Sequence, residues 1–484
     1  TGNAGVAVTS GSGSVTFDGS APTLSSVSIA SNNSTTTLAK VADVVTLTFT
    51  ASETIATPVV TFQSGDAAIA DTSITYTNTS GTTWTAAYTA DGADTDGSVT
   101  YSVAFTDSTG NAGVAVTSGS GSVTFDKTAP TVSYVTGAEN NGLFKEDDIV
   151  NISARFSETV TVSGAVPYLT LSVGSSYDVG YSSGSGTQYL NFVYTVQSGH
   201  TSADLDYVAT SSLNLNGATI TDAAGNTAIL TLASPGATNS LGSTKNYVID
   251  TTAPTVAITG NQGASGSTTA ASSITLSIDV SETPTGLTAS DLTYTSAGSG
   301  SGSFGSLTAT GSSPEYTIVF TPASNDTYTF AMAGDVFTDA VGNNNTAASD
   351  FVWEYDNSVP TLSSVSIASN NSTTTLAKVA DVVTLTFTAS ETIATPVVTF
   401  QSGDAAIADT SITYTNTSGT TWTAAYTADG ADTDGSVTYS VAFTDGTNAG
   451  VAVTSGSGSV TFDKTVPTLS SVSIASNNST TTLA

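Results

Sequence analysis

The chain has 484 residues and no cysteine, and its 39 Asp and Glu outnumber its 7 Lys and Arg to give a formal net charge of −32. A chain this acidic should repel nucleic acid and anionic membrane surfaces and attract cations. Without disulfide bonds each domain must depend on its core or on metal. Since no apolar run approaches about 18 residues, no membrane insertion is expected.

Internal repeats organise the chain. Residues 23–107 recur unchanged at 361–445, and residues 1–18 match 109–126. This repetition predicts four whole domains between two partial ones. The domains begin near five prolines, Pro22, Pro130, Pro254, Pro360 and Pro467. Proline fixes one backbone angle, so the short links that contain it favour a stiff linear array.

Six segments follow from these repeats. The two partial ones are a C-terminal strand of a preceding domain at 1–18 and the first strand of a following domain at 465–484. The four whole domains are predicted at 19–127, 128–251, 252–357 and 358–464. The second has enlarged loops, and the fourth is nearly identical to the first. We number these domains one to four below.

In domain one, apolar and polar residues alternate with a period of two, as in strands with one buried face. Seven strands are predicted, at Leu24–Ala30, Val44–Phe49, Pro58–Phe62, Ser73–Thr77, Thr83–Thr89, Ser98–Thr106 and Val114–Phe125. Seven short strands in roughly 105 residues, separated by polar turns, indicate an immunoglobulin-like Greek-key β-sandwich. The predicted fold class is therefore all-β, with such sandwiches in tandem.

Later domains vary this plan. In domain two, Ala138–Asp148 and Tyr177–Thr187 are predicted to be enlarged loops. Trp353 stands in the last strand of domain three, and Trp84 of domain one is expected to lie in a core. His200 is the only histidine and should be exposed, and one histidine cannot serve repeated domains, so nothing in the sequence argues for a Ser-His-Asp arrangement. The sequence predicts that the chain is not an enzyme.

Three acidic positions recur in every whole domain. They are the linker Asp before the domain, the Glu of a Ser-Glu-Thr after the second strand, and the Asp that opens the loop between the last two strands. The candidate metal ligands are Asp18, Glu53 and Asp107; Asp126, Glu158 and Asp222; Asp250, Glu282 and Asp339; and Asp356, Glu391 and Asp445. In an immunoglobulin sandwich these positions share one pole, so each trio should meet where a domain joins the previous one.

Carboxylates brought together repel unless a cation lies between them or one is protonated. Three acids with turn carbonyls, and no His or Cys, suit Ca²⁺ better than zinc. The alternative is that each acid caps a turn by accepting from its own backbone. In the DxxGN loop, Gly-Asn should form a tight turn with positive backbone angles. Domain four lacks the glycine found at Gly110.

A second acidic cluster lies in domain one and is repeated in domain four. Its members are Asp91, Asp94 and Asp96, then Asp429, Asp432 and Asp434. It lacks the closing Glu of an EF-hand loop. We interpret it as a solvated turn at the pole opposite to the trio, and we interpret Asp204 and Asp206 in the same way.

The motifs FTASETxxxPVVTF, TDxxGNxA and DxTAPTV resemble those of bacterial Ig-like (Big) domains, the tandem modules of giant surface adhesins and biofilm proteins. The resemblance covers nearly the whole chain. It implies an extracellular, cell-surface protein whose domain junctions bind Ca²⁺ and whose repeats act as an extender rod. By the same resemblance, the linker Asp, the Ser-Glu-Thr Glu and the DxxGN Asp would be the ligands.

Two functions stay open. One is a calcium-stiffened stalk within a large adhesin, with the neighbouring domains of the same chain as its partners. The other is an extracellular filament or matrix fibre, built by lateral or end-to-end self-association of the repeats. A stalk should be monomeric at high concentration with calcium, whereas a fibre former should sediment.

Overall fold

The computed structural model describes residues 9, 11–311, 314–475 and 477. Its regular structure is almost all strand, with one four-residue α-helix at Leu241–Thr244 and a 3-10 turn at Ala289–Asp291. Among the described residues, no helix has the length and apolar character needed to cross a membrane. The chain forms two compact units, Thr1–Thr252 and Ala253–Ala484, and each is described by itself.

The first unit begins with two facing sheets. Their strands are β1 Leu24–Ser31, β2 Leu38–Ala39, β3 Val44–Ala51, β4 Val59–Ser64, β5 Ala67–Ala68, β6 Thr75–Ser80, β7 Thr83–Thr89, β8 Gly97–Ala104 and β9 Thr124–Phe125. One sheet has the order β1-β3-β7-β6 and the other β2-β9-β8-β4-β5. The first order matches strands A, B, E and D of an immunoglobulin sandwich, and β9-β8-β4 matches G, F and C. The predicted fold class is confirmed.

The core of this domain follows from the alternation of residues along β3 and β7. Val45, Leu47 and Phe49 are fully buried. They lie opposite Tyr88, Ala86 and Trp84 of β7, so large and small side chains face each other on the inner side of the sheet. Trp84 is buried, as predicted.

One predicted strand is largely absent. Within Val114–Phe125 only Thr124 and Phe125 are strand, and single bridges join Val116 to β8 and Ser120 to β1. The reason is that this segment crosses between the two sheets. A Cβ on Gly119 would lie 2.3 Å from the carbonyl oxygen of Val27, so the two backbones approach too closely there for an ordinary side chain.

The second half of this unit holds a larger sandwich. Its strands are β10 Val132–Gly137, β11 Gly142–Phe144, β12 Ile149–Ser163, β13 Tyr168–Ser172, β14 Ser176–Ser183, β15 Thr187–Thr195, β16 Thr201–Ser202, β17 Asp206–Tyr207, β18 Leu213–Asn214, β19 Thr219–Thr221 and β20 Tyr247–Asp250. Eight strands form one sheet, whose main path runs β10-β12-β15-β14-β13-β17, and β11-β20-β16 form the other.

Two expectations for domain two are wrong. Tyr177–Thr187 is mostly strand β14, which pairs with both β13 and β15. His200 is 9% exposed, because its Nδ1 lies 2.9 Å from the hydroxyl oxygen of Tyr194 and its ring packs against that tyrosine. A histidine in a polar stretch of sequence is therefore buried, and it is hydrogen-bonded to a tyrosine.

The second unit contains two sandwiches. The first has β21 Val256–Gly260, β22 Ser267–Thr269, β23 Ile274–Val280, β24 Leu292–Ser296, β25 Gly302–Phe304, β26 Thr308–Ala309, β27 Glu315–Pro322, β28 Asp326–Met332 and β29 Phe351–Tyr355. The second has β30 Leu362–Ser369, β31 Leu376–Ala377, β32 Val382–Ala389, β33 Val397–Ser402, β34 Ala405–Ala406, β35 Thr413–Ser418, β36 Thr421–Thr427, β37 Gly435–Ala442 and β38 Thr461–Phe462. Trp353 lies in β29, the last strand of the first of these sandwiches, as predicted, and it is fully buried.

The two terminal segments form no strand in their described residues, which are 9 and 11–18 at one end and 465–475 and 477 at the other. Leu469, Val472 and Ile474 are almost fully exposed. A strand needs a partner, and these residues have none among those described. The rest of both predicted strands lies outside the described residues.

Candidate metal centre

The first carboxylate of each trio lies in the linker before a domain. There a main-chain N–H two residues further on donates to its Oδ1, over 3.0 Å from Ser20 to Asp18 and 2.9 Å from Thr128 to Asp126. Asp250 and Asp356 form the same turn. Turn capping is therefore real, but it uses one oxygen. Among the described residues, Oδ2 of Asp18 and Asp126 accepts no hydrogen bond.

The Ser before the second carboxylate fastens the linker to the end of the second strand. Ser157 Oγ accepts the N–H of Thr131 at 3.0 Å, and Ser157 N–H donates to the Thr131 carbonyl at 2.8 Å. The equivalent pairs are Ser52 with Thr23, Ser281 with Thr255, and Ser390 with Thr361. This reciprocal pair keeps Glu158 and its counterparts beside the linker. The repeated Ser-Glu-Thr was a visible signal, but sequence reasoning gave its serine no role.

The third carboxylate is held by its own loop. Oδ1 of Asp222 accepts the N–H of Asn226 at 2.8 Å, and Oδ2 accepts Asn226 Nδ2 at 2.8 Å. The same Nδ2 donates to the Asp126 carbonyl at 2.9 Å, so the asparagine ties the loop to the linker. Asn111 and Asn448 make the matching contacts with the carbonyls of Asp18 and Asp356.

Only the glycine of this loop has a positive φ, at 98° in Gly110 and 92° in Gly225. The asparagine, expected to share it, acts through its side chain instead. In domain four, Gly446 takes this conformation at 108° although it stands next to Asp445. The shorter DGTN loop therefore retains a left-handed glycine after all.

Three of the four trios have all their members in the same unit, two of them in the first unit and one in the second, and in each the carboxylates lie close together. One oxygen from each member lies within 4.8 Å of the others in three sets: Asp18, Glu53 and Asp107; Asp126, Glu158 and Asp222; and Asp356, Glu391 and Asp445. Oxygens bound to one Ca²⁺ at about 2.3–2.6 Å can be at most about 5 Å apart. A single ion therefore fits each set, and its binding stays a prediction.

The remaining predicted ligands divide between the two units. Asp250 is at the end of β20 in the first unit, and Glu282 and Asp339 are in the second. Asp339 repeats the loop geometry, since its Oδ1 accepts the N–H of Asn343 at 2.9 Å and its Oδ2 accepts Asn343 Nδ2 at 2.8 Å. Each residue thus holds the expected place in its own domain.

Among the described residues, no Lys or Arg forms an ion pair with a carboxylate of the second trio. Burial raises the pKa of Glu158, and the carboxylates of Asp126 and Asp222 raise it further. Burial also raises the pKa of Asp126, against the hydrogen bond from Thr128. A cation between these groups would oppose both shifts.

The loop aspartates are in the opposite situation. Burial raises the pKa of Asp107, but hydrogen bonds from Asn111 and Thr109 outweigh it and lower the pKa to about 2. Hydrogen bonds from Asn448 and Thr447 similarly outweigh burial and lower the pKa of Asp445. The loop therefore keeps its aspartate ionised, which is the form that binds metal.

The donor set fits a hard cation. Within the described residues, none of the nine carboxylates in these three sets forms an ion pair with Lys or Arg. Every donor is an oxygen, and the sets contain neither His nor Cys. Calcium prefers oxygen ligands, whereas zinc prefers nitrogen and sulfur. The residues present therefore suit Ca²⁺.

The second acidic cluster is a turn that is only partly solvated, because Asp91 and Asp96 are exposed whereas Asp94 between them is buried. Asp94 is 1% exposed because its Oδ1 accepts the Ala70 N–H and its Oδ2 accepts the Asp91 N–H, at 2.7 and 2.9 Å. Asp96 accepts from Lys127 N–H and Thr128 Oγ1 of the next linker, so it lies beside the following trio. Asp206 is also buried, and it accepts from Gly236 N–H.

Comparison with known proteins agrees with this architecture. Residues 250–353 match the family model described as a bacterial Ig-like domain, so this region is similar to the members of that family. No curated protein sequence matches the chain.

The chain is similar to several solved structures. A tetra-tandem repeat in the extending region of a large adhesion protein is 18% identical, with a TM-score of 0.32, and the match covers 91% of this chain and all of the other. Domains 1–6 of surface layer protein SbsC are 13% identical over 93% of this chain and 55% of the other, with a TM-score of 0.19. The mouse nectin-like molecule 4 ectodomain is 13% identical over 66% of this chain and 98% of the other, with a TM-score of 0.23.

Proposed function

We propose that this chain is a non-catalytic structural repeat region of a large exported protein, in which Ca²⁺ bound at the domain boundaries stiffens a stalk for adhesion or biofilm formation. The observation that carries the proposal is the recurring carboxylate trio. It lies beside the linker, has no compensating Lys or Arg among the described residues, and holds its oxygens within 4.8 Å of one another.

The trio connects three separate parts of the chain. In the second set, Asp126 belongs to the linker, Glu158 follows the second core strand, and Asp222 opens the loop between the last strands. An ion bound by all three fixes the linker to two loops of the domain that follows it. The linker then loses rotational freedom, and the boundary becomes stiffer.

The remaining features suit a spacer outside the cell. The acidic composition attracts cations, and each domain has its own hydrophobic core without any disulfide. Repetition of one module determines the length of a stalk. Residues 23–107 and 361–445 are identical, which suits a spacer better than two domains with different chemical activities.

Calorimetric titration of Ca²⁺ into the calcium-depleted 484-residue protein tests the proposed ligands. The variant E158Q keeps the size of the side chain and removes one ligand charge, so it should bind one ion fewer than the parent or bind it more weakly. The control E146Q removes the same charge from an exposed loop of the same domain and should bind like the parent. Equal titrations of all three proteins would contradict the site.

A further inference from the structure

Two side chains of domain one contact the DxxGN loop of domain two, inside the unit Thr1–Thr252. Asn33 Nδ2 donates to the Ala224 carbonyl at 2.9 Å, and Lys40 Nζ donates to the Gly225 carbonyl at 3.0 Å. Both acceptors are main-chain atoms. The contacts are therefore separate from the carboxylates of the candidate metal site.

The loop is shaped to present these two carbonyls. Its internal hydrogen bonds run from Gly225 N–H to the Asp222 carbonyl and from Asn226 to the Asp222 carboxylate. Gly225 has a φ of 92°, and a Cβ there would lie 3.6 Å from Nζ and Cε of Lys40. The lysine thus packs against the glycine while its ammonium group binds the carbonyl.

Domain one holds its side of this contact in place. Asn33 is only 9% exposed, its Oδ1 accepts the Thr35 N–H at 3.0 Å, and its Nδ2 also donates to Asp43 Oδ2 at 2.7 Å. Asp43 Oδ2 in turn accepts the N–H of Lys40 at 2.8 Å. The geometry is thus fixed within the domain, and one amide hydrogen of Asn33 is directed at its neighbour.

Domain four contains the same site in a different state. Asn371 Nδ2 donates to Asp381 Oδ2 at 2.7 Å and the N–H of Lys378 donates to the same oxygen at 2.9 Å, as in domain one. However, Lys378 Nζ turns back to Asp381 Oδ1 at 2.8 Å, with 69% of its side chain exposed. Since residues 23–107 and 361–445 are identical, the surroundings and not the sequence decide where the ammonium group binds.

We propose that this Asn–Lys pair is a docking site for the DxxGN loop of a following Ig-like domain. Its partner is a tight turn that presents two successive main-chain carbonyls, with a left-handed glycine at the second. Lys378 paired with Asp381 is the undocked state, and Lys40 on Gly225 is the docked state. Because the site binds main chain, it accepts any following domain whose loop has this shape, and it orders the boundary without a bound metal ion.

Pulsed electron–electron double resonance, which measures the distance between two spin labels, tests this inference on the full chain. Because the protein has no cysteine, the exposed Thr77 and Ser182 can carry spin labels after T77C and S182C, one in each domain. With excess EGTA, the parent should give a narrow distance distribution. K40M and N33A should lose it. K378M and N371A make the same changes in identical sequence and should keep it, and K40R, which retains a donor, should restore it in part.

The calcium arm separates this inference from the proposed function. If K40M and N33A superimpose on the parent in EGTA, or if K378M and N371A broaden the distribution equally, the docking site is wrong. A parent distribution that is broad in EGTA and narrow in calcium would also overturn it, while supporting the calcium-stiffened boundary. A narrow distribution in EGTA that calcium leaves unchanged would support docking and contradict stiffening by metal. Circular dichroism would verify that each variant is folded.

Discussion

At the scale of single residues, the carboxylates of one boundary are in unlike electrostatic environments. In domain four, burial raises the pKa of Glu391, and the charges of Asp356 and Asp445 raise it further. Asp445 itself has a lowered pKa, because hydrogen bonds from its own loop outweigh burial. Among the described residues, no hydrogen bond favours the ionised form of Glu391, so the glutamate gains most from a cation.

This contrast predicts that E158Q will have opposite effects with and without calcium. The folded pKa of Glu158 is raised, so ionised Glu158 destabilises the fold at every pH above that pKa, and the cost disappears as the pH falls below the unfolded value. At pH 7 in EGTA, E158Q should therefore make domain two more stable than the parent. In calcium it should make the domain less stable. Hydrogen exchange of peptides from residues 128–251 measures both, and effects of the same sign would contradict the argument.

The asparagine of the DxxGN loop provides a second prediction. N226A removes the donor to both Asp222 and the Asp126 carbonyl. It should destabilise domain two by about 1–3 kcal/mol, the usual cost of leaving buried acceptors unpaired, and it should weaken calcium binding. The control N140A changes an exposed asparagine of the same domain. Hydrogen exchange measures the loss of stability and calorimetry measures calcium binding. Equal effects of N226A and N140A would contradict the role of Asn226 in holding the loop.

At the scale of elements, the sandwiches depend on where the chain crosses between sheets. The segment around Gly119 passes over β1 so closely that an added methyl group would meet the Val27 carbonyl. G119A should therefore destabilise domain one by roughly 1–3 kcal/mol, as overpacking does. In G92A the added Cβ meets no atom within 4 Å, so only a small change is expected. Hydrogen exchange measures the stability of both variants, because a peptide that carries the extra methyl group has a different mass from the matching peptide of domain four. Equal destabilisation by G119A and G92A would contradict the close approach of this segment to β1.

The sequence predicted those features that leave a periodic or repeated pattern of residues, and it did not predict those that depend on contacts formed only in the fold. Alternation predicted β3 and β7 because Val45, Leu47 and Phe49 alternate with threonines, and recurrence at equal places predicted the acidic trios. The burial of Asp94 and His200 could not be predicted, because their polarity is satisfied by partners that only the fold brings near. Glycine at a sheet crossing gives no periodic signal, so Val114–Phe125 was predicted to be one strand.

At the scale of the whole molecule, one boundary design is used repeatedly. Each linker Asp is followed by a Ser-Glu-Thr and then by a loop Asp, and hydrogen bonds within each domain hold these residues in place. The carboxylates of these trios are part of the excess of acidic residues that gives the chain a formal net charge of −32. Bound Ca²⁺ would reduce the repulsion between these carboxylates, and this repulsion would otherwise favour bending at the linkers.

The most direct test is small-angle X-ray scattering from the 484-residue protein in calcium and then in excess EGTA, with the mass measured by light scattering. We predict a monomer in both conditions, with a longer maximum dimension and less flexibility in calcium. The combined variant E53Q, E158Q, E282Q and E391Q should scatter like the EGTA sample whether or not calcium is present. Superimposable curves for the parent in calcium and EGTA would contradict the calcium-stiffened stalk, and a mass that rises with concentration would favour the filament instead.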